Sequence, residues 1–350
     1  MRPYEIILYG AYGYTGRLIT TECKATGLNV LLAGRNAVRL QELSEATDYP
    51  YEACDLDDAA SLKALLTKGR IVLHCAGPFQ KTAQQVVNAC LDSSTHYLDI
   101  TGEFQVFEML ASYDARAKEK EILIMPGVGF DVVPSDCLAL HLKNKLPGAT
   151  HLQLAFTMSQ GGMSRGTART MIEGLGAGSM IRKDGNLIPI GLGDKVMEVD
   201  FGEFRRDALC IPWGDIATAW RSTGIPNIEV YSGVGSRTIQ VARLGKWLNW
   251  LMRRQWVKDY LRKKVDAREP GPRKAHLHSG KSYLWGRARD NSGKMVEARM
   301  KTVNGYLLTA RTAVLISKKL LSAQVRAGYS TPAQYFGEGL IFEVAGTSWI

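Results

Sequence analysis

Three glycines at fixed spacing, Gly10, Gly13 and Gly16, follow the apolar run ending at Tyr9 and precede a helical pattern over Arg17–Ala25. A strand that enters a GxxGxxG turn and then opens a helix suits a pyrophosphate. Glycines permit the tight turn and close backbone approach, and the first N–H groups of the helix point at the anion. Tyr12, Tyr14 and Thr15 stand between the glycines and belong to the same loop. About twenty residues further on, an unphosphorylated ribose would need a carboxylate at the end of the second strand. The chain has Gly34-Arg35-Asn36 there instead, with Arg39 one helical turn beyond. Arg35 offers a planar, permanently charged fork for a 2′-phosphate, so the expected cofactor is NADP(H); the plainer reading is a solvated surface arginine. Asp55 would lie near the adenine amino group or cap the next helix. The small-residue stretch Cys75-Ala76-Gly77-Pro78 would let the nicotinamide half pass close to backbone.

Hydride transfer asks the protein to hold the nicotinamide against a substrate and to supply or remove a proton. In open α/β sheets this happens beyond the carboxyl ends of the strands. Tyr97, Asp99 and Glu103 fall at or after the fifth expected strand and Asp131 after the sixth, which makes them the catalytic candidates; their structural alternative is capping helices or pinning loops. The loop Gly161–Thr167 would cradle an anion at a helix start or would be a plain loop with Thr167 as its N-cap. Tyr260 and Lys264 match the Tyr-x-x-x-Lys string of short-chain dehydrogenases, but they sit far outside the glycine-loop domain among many lysines, so chance explains the match. HExxH does not occur. Six scattered cysteines without a CxxC pair give neither a disulfide framework nor a metal site, and read as free thiols in a reducing cytoplasm.

The elements that must position these residues follow from periodicity. Strands are expected at Tyr4–Tyr9, Val30–Ala33, Tyr51–Cys54, Ile71–Cys75, His96–Ile100 and Ile122–Pro126. Helical patterns lie between them, at Arg17–Ala25, Ala37–Ala46, Ala59–Thr67 and Lys81–Leu91. That is a doubly wound, Rossmann-type α/β domain with a parallel sheet, placed over 1–148. From His151 the pattern turns to longer alternating runs, among them 306–316, with turns at Asp184-Gly185, Asn291 to Gly293 and Asn304-Gly305. A second α+β domain on a mainly antiparallel sheet is expected over 149–310 for substrate or oligomerisation, then a C-terminal helix and tail over 311–350.

With 350 residues and 45 % hydrophobic content, the chain can bury real cores, which excludes disorder and coiled coil. No run of eighteen apolar residues is present, so a soluble, cytoplasmic, unexported protein is expected. The net charge of +10 is concentrated between Leu244 and Arg289, where thirteen Lys and Arg face three acids. Within 244–264, Leu244, Trp247, Leu248 and Leu251 would share one helical face, and Trp256, Val257, Tyr260 and Leu261 another. Such a stretch suits peripheral contact with an anionic membrane; the alternative docks its aromatics on the second domain. Single-stranded nucleic acid is disfavoured beside these two.

The blocks GAYGYTGRL at 10–18, AGR at 33–35, HCAGPF at 74–79, YLDITGE at 97–103, GFDVVPSD at 129–136 and TPAQYFG at 331–337 together resemble the saccharopine dehydrogenase-like NADP-binding proteins, a family that includes trans-acting enoyl reductases. The resemblance runs from end to end. It implies a Rossmann domain, an inserted α/β domain covering the cofactor cleft, and a C-terminal segment returning to the first domain. Tyr12 departs from the family's usual small Thr or Ser. The resemblance alone implies reduction of a carbon–carbon double bond in an apolar acyl, lipid-like or polyketide-like substrate. Alternatives are imine reduction or secondary-amine oxidation of the saccharopine type, with Arg165 or Arg169 holding substrate carboxylates, and a non-catalytic NADP-binding scaffold at a membrane. A homodimer is one assembly compatible with these readings.

Overall fold

A computed structural model describes residues 2–159, 162–245 and 249–350, which form two compact units, Met1–Val133 with Tyr306–Tyr335, and Pro134–Gly305 with Phe336–Ile350. The first unit begins with β1 (Tyr4–Tyr9), α1 (Tyr14–Ala25), β2 (Val30–Gly34), α2 (Ala37–Thr47), β3 (Tyr51–Ala53), α3 (Ala59–Leu66), β4 (Gly69–His74) and α4 (Phe79–Ser93). It continues with β5 (His96–Asp99), α5 (Phe104–Ala111), α6 (Asp114–Glu119) and β6 (Leu123–Met125). Strands such as Val30-Leu-Leu-Ala-Gly34 are buried along their whole length, as expected of parallel strands covered by helices on both faces. Asn36 caps α2 by accepting from the Arg39 amide at 3.0 Å, and Asp58 caps α3 by accepting from the Ser61 amide at 3.0 Å. The cap of α3 is thus Asp58, and Asp55 is exposed ahead of it.

The second unit holds α7 (Val133–Lys145), which starts one residue before the division, then β7 (His151–Met158), α8 (Arg165–Glu173), β8 (Ser179–Lys183), β9 (Asn186–Ile190), β10 (Val196–Asp200) and β11 (Arg205–Cys210). There follow α9 (Asp215–Thr223), β12 (Asn227–Gly233), α10 (Ser236–Gly245), α11 (Asn249–Met252), α12 (Gln255–Asp266), α13 (Lys274–Ser279), β13 (Lys281–Arg289) and β14 (Met295–Val303). Its sheet runs β10-β11-β12-β7-β13-β14 and ends on β16 (Ser348–Trp349), with the β8–β9 hairpin attached to β12. Only the β7–β12 pair in this sheet is parallel among the described residues. Trp285, Tyr283, Phe201 and Tyr231 form much of its core. Gly286 allows α7 to lie on β13, because a Cβ there would stand 2.6 Å from Leu142.

The chain then returns to the first unit through α14 (Gly305–Leu321), β15 (Gly328–Tyr329) and α15 (Pro332–Phe336). The first sheet is seven parallel strands in the order β15-β6-β5-β4-β1-β2-β3. The α/β, Rossmann-type expectation and the mainly antiparallel second sheet both hold. Three details differ from the sequence reading. The run 306–316 is helix, not strand: Leu308, Ala310, Ala313, Val314, Ile316 and Leu320 are all buried, and Asn304-Gly305 is the entry to that helix instead of a hairpin turn. The units divide at Val133/Pro134 and Gly305/Tyr306, against the boundaries at 148 and 310 read from sequence, and the last residues from Phe336 belong to the second unit.

The third difference concerns the basic stretch. It folds as separate helices α10, α11 and α12, and of its first expected face Trp247 and Leu248 lie outside the described residues. On α12, Val257 and Leu261 are half-buried while Trp256 and Tyr260 are exposed, so the four do not share one face. Gly161 also lies outside the described residues, and the cap of α8 is Ser164, which accepts from the Thr167 amide at 3.1 Å.

Candidate active site

The order of the first sheet puts β1 between β4 and β2, the place where successive strands turn to opposite sides and where open α/β sheets bind ligands. The glycine loop fills that crevice. Gly10 has φ +85° and lies so close to the end of β4 that a Cβ would be 2.9 Å from the Ala76 nitrogen and 2.9 Å from the Cys75 carbonyl carbon. Its amide donates to the Ala33 carbonyl at 2.8 Å, which ties the loop to β2. A Cβ on Gly16 would be 2.5 Å from the Gly10 oxygen, so α1 approaches β1 more closely than any side chain permits. No side chain caps α1 at Gly13, and its first turn carries no acid. The positive end of α1 therefore faces the loop with no acid in its own first turn to offset it. Thr15 is half-buried within this first turn. Tyr14 packs edge-on against Tyr306 of α14, with centroids 5.1 Å apart.

At the β2 side, the Tyr12 ring covers Gly34, where a Cβ would be 2.7 Å from the ring. The Arg39 guanidinium lies over that ring at 4.8 Å from its centroid. Arg35 and Arg39 are both exposed at the start of α2. The bulky Tyr12 is thus accommodated by a glycine partner on the neighbouring strand and a cation above it. Asp55 is exposed beyond β3.

At the β4 side, Cys75, Ala76 and Pro78 are half-buried and Gly77 exposed, giving a lip of small residues. Behind it His74 is fully buried among the Tyr9, Phe79 and Tyr97 rings and shares a 2.9 Å hydrogen bond with Thr82 through Nε2. Burial pushes this imidazole down to about 3, so it is neutral throughout the physiological range.

The three candidate acids and the one phenol separate by surroundings. Tyr97 and Asp99 are inaccessible: the Tyr97 hydroxyl donates to Asp99 at 2.6 Å, and the other Asp99 oxygen accepts from the amides of Thr101 at 3.0 Å and Gly127 at 2.8 Å. Burial pushes Asp99 up to about 6, against the pull of those donors. Glu103 is buried, and its two oxygens accept from the amides of Phe79 at 2.9 Å and Gln80 at 3.0 Å, so it supplies the anion at the start of α4. Asp131 is half-buried as a residue, unlike the other three, and a Cβ on Gly102 would stand 2.7 Å from its carboxylate. Burial of the group, and then the nearby Glu103 charge, push Asp131 up to about 7.

The loop that carries Asp131 is held by α14. Thr309 accepts from the Phe130 amide at 3.0 Å, and Thr312 donates to the Val128 carbonyl at 2.8 Å. Tyr306, Thr309 and Thr312 were not among the expected site residues. Their signal was present in sequence as polar residues recurring three apart in an otherwise apolar stretch. Among the described residues no cluster of His, Cys, Asp and Glu could hold a metal ion.

A parallel sheet with a glycine loop at its switch point and an arginine pair at the end of β2 has the layout that dinucleotide-binding folds use. Residues 6–125 match the family model of the saccharopine dehydrogenase NADP binding domain. The chain is similar to the saccharopine dehydrogenase-like oxidoreductase of Rattus norvegicus, with 30 % identity over 207 residues covering 52 % of this chain and 48 % of that protein. It is also similar to the trans-acting enoyl reductase of Mycobacterium ulcerans, at 32 % identity over 149 residues covering 40 % of this chain and 36 % of that one. The chain spans about half the length of the first of these relatives and about a third of the second. Its fold is that of apo saccharopine dehydrogenase (L-Glu forming) from Saccharomyces cerevisiae, with a TM-score of 0.68 over 99 % of this chain and 100 % of that chain at 11 % identity.

Proposed function

We propose that this chain is an NADP(H)-dependent oxidoreductase that reduces a carbon–carbon double bond conjugated to the carbonyl of an apolar acyl substrate. The cofactor's part in this reading rests on the glycine loop wedged between β1, β2 and the end of β4, and on the lack of any acid at Gly34-Arg35-Asn36. Arg35 and Arg39 would hold the 2′-phosphate, Tyr12 would lie beside the ribose, the α1 amides would hold the pyrophosphate, and the 75–78 lip would border the nicotinamide. When bound, NADPH supplies a hydride to the carbon β to the carbonyl.

Asp131 supplies the proton to the α carbon. It is the one of the four candidates that is only half-buried as a residue and whose carboxyl is still substantially protonated near neutrality. Tyr97 and Asp99 are sealed under the strand ends, and Glu103 holds the start of α4. The enoyl choice draws on the similarity to the trans-acting enoyl reductase. The amine-type alternative draws less support, because Arg169 pairs with Asp266 at 2.7 Å and Arg165 donates to the Arg268 carbonyl, so both are engaged within the second unit.

The test is transfer of deuterium from stereospecifically labelled NADPH to α,β-unsaturated acyl thioesters of increasing chain length. Label on the β carbon establishes the reading. Tight NADPH binding with no turnover of enoyl, imine or carbonyl compounds would replace it with a scaffold role.

A further inference from the structure

Two aromatic side chains on α12 face solvent where a soluble helix ordinarily carries polar groups. Trp256 is 64 % exposed and Tyr260 54 % exposed, four residues apart and therefore on one face, with Lys263 following on the same face. Trp250, on α11, is 62 % exposed, and Arg254 at the start of α12 lies 6.0 Å from its ring centroid. Lys264 lies 4.7 Å over the Tyr260 ring. The opposite face of α12 is satisfied: Val265 is buried, Lys258 donates to the Glu173 carbonyl at 2.6 Å, and Arg262 pairs with Glu173 at 2.7 Å. The aromatic face is therefore not a side of the helix waiting to dock on α8, because α8 already holds the other side.

Lys264 also borders an apolar trough of about 190 Å³ between α8 and α12, lined by Met163, Met171, Ile172, Leu261 and Val265, with Arg268 as the second cation on its rim. Met163 and Met171 are themselves more than half exposed. Exposed rings beside aliphatic-stemmed cations, next to an apolar trough with a cationic rim, match the layering of an anionic bilayer: phosphates outermost, then the interface that favours Trp and Tyr, then acyl chains. A protein partner would need to match this mixture residue by residue, whereas a lipid surface supplies it by its own chemistry.

We propose that the α11–α12 face, with Trp250, Trp256, Tyr260, Lys263 and Lys264, docks the second unit onto an anionic phospholipid surface. This inference is independent of the reaction assigned above. The rings enter the headgroup layer, and Lys263, Lys264 and Arg268 meet lipid phosphates.

The experiment is co-sedimentation of the intact chain with phosphatidylcholine vesicles containing phosphatidylserine, beside pure phosphatidylcholine, at low and high salt. Anionic vesicles should capture the protein at low salt and release it as salt screens the charges. Lys263→Glu with Lys264→Glu, both exposed positions, should lower the partition by about tenfold or more. Trp256→Ser with Tyr260→Ser should do the same without changing the melting temperature. Equal capture by neutral vesicles, no capture, or unaltered binding by both double variants would overturn the proposal. So would a change of oligomeric state in the aromatic variant, which would show that a second copy covers the face. Stronger binding to single-stranded DNA in competition with the vesicles would also reject it.

Discussion

Arg35 and Asp131 are the residues on which the proposed chemistry turns, and each carries a distinct expectation. If Arg35 reads a 2′-phosphate, its charge-assisted hydrogen bonds contribute about 1.5 to 3 kcal/mol, or roughly ten- to a hundredfold in affinity. Titration by fluorescence should then show NADPH binding at least about tenfold tighter than NADH. Arg35→Ala should erase most of that gap while leaving NADH affinity unchanged. For Asp131 the direction of the shift sets the pH dependence. A carboxyl that leaves its ordinary range near 4 for about 7 favours the protonated form in the fold. Its contribution to stability is fully present below pH about 4 and is lost as pH rises through about 7. If that protonated form is the proton donor, as proposed, the reduction rate should fall as pH is raised above about 7. Asp131→Asn should be slow and lack that descending limb, with NADPH affinity nearly unchanged. Its melting temperature should gain on the parent between pH 4 and pH 7. A variant with the parent's pH profile would move the donor elsewhere.

The elements show why two helix starts on the same side of one sheet behave differently. The start of α1 is lined by glycines, has no side-chain cap and no acid, whereas the start of α4 already holds the Glu103 carboxylate on two amides. Gly16→Ala would place a methyl 2.5 Å from the Gly10 oxygen and 2.7 Å from that of Ala11, forcing α1 away from β1. Cofactor binding should fall sharply in calorimetry while the far-ultraviolet circular dichroism stays close to the parent's. Glu103→Ala should instead cost about 1 to 2 kcal/mol of stability, because two amides and a helix dipole lose their anion together. A denaturant titration reads that loss, and a null result would return Glu103 to the list of chemical candidates.

The same elements explain what was legible in sequence. Strands β1 to β6 were readable within a residue or two because each is a short apolar run bounded by turn residues, and the glycine loop because it joins a strand to a helix. The C-terminal half of α14 is legible as helix from 311 onward, but its first turns read as strand, because Tyr306-Leu-Leu-Thr-Ala-Arg-Thr-Ala-Val-Leu-Ile316 alternates β-branched and apolar residues and is buried on more than one side, which removes the polar face that marks a surface helix. The acids at 97–103 were found by position alone. Nothing in the sequence distinguishes Asp99, sealed under Tyr97, from Asp131, which is only half-buried as a residue, since burial is a property of the assembled strands.

On the scale of the molecule, the first unit is completed by residues that come after most of the second unit in sequence. β15 adds the seventh strand beside β6, and α14 holds the 127–130 loop through Thr309 and Thr312. A chain ending at residue 305 should therefore fail to bind NADPH despite retaining every glycine and arginine named above. A 1–133 fragment joined by a short linker to 306–335 should recover binding. If the 1–305 chain titrates like the parent, α14 and β15 are dispensable. Among the described residues no helix is long and apolar enough to cross a membrane, so contact with a bilayer through the described helices would have to be peripheral.

The late arrival of β15 has a consequence for biosynthesis. When β6 leaves the ribosome, Leu123, Ile124 and Met125 have a neighbour on one side only, and their partner strand lies two hundred residues downstream. At usual elongation rates the nascent chain spends on the order of ten seconds or more with that apolar edge unpaired while 134–305 is translated. An open, hydrophobic strand edge is a template for intermolecular pairing. Newly made chains should therefore benefit from a holding chaperone for that interval, and slowing translation within 134–305 should lower the soluble fraction measured after expression.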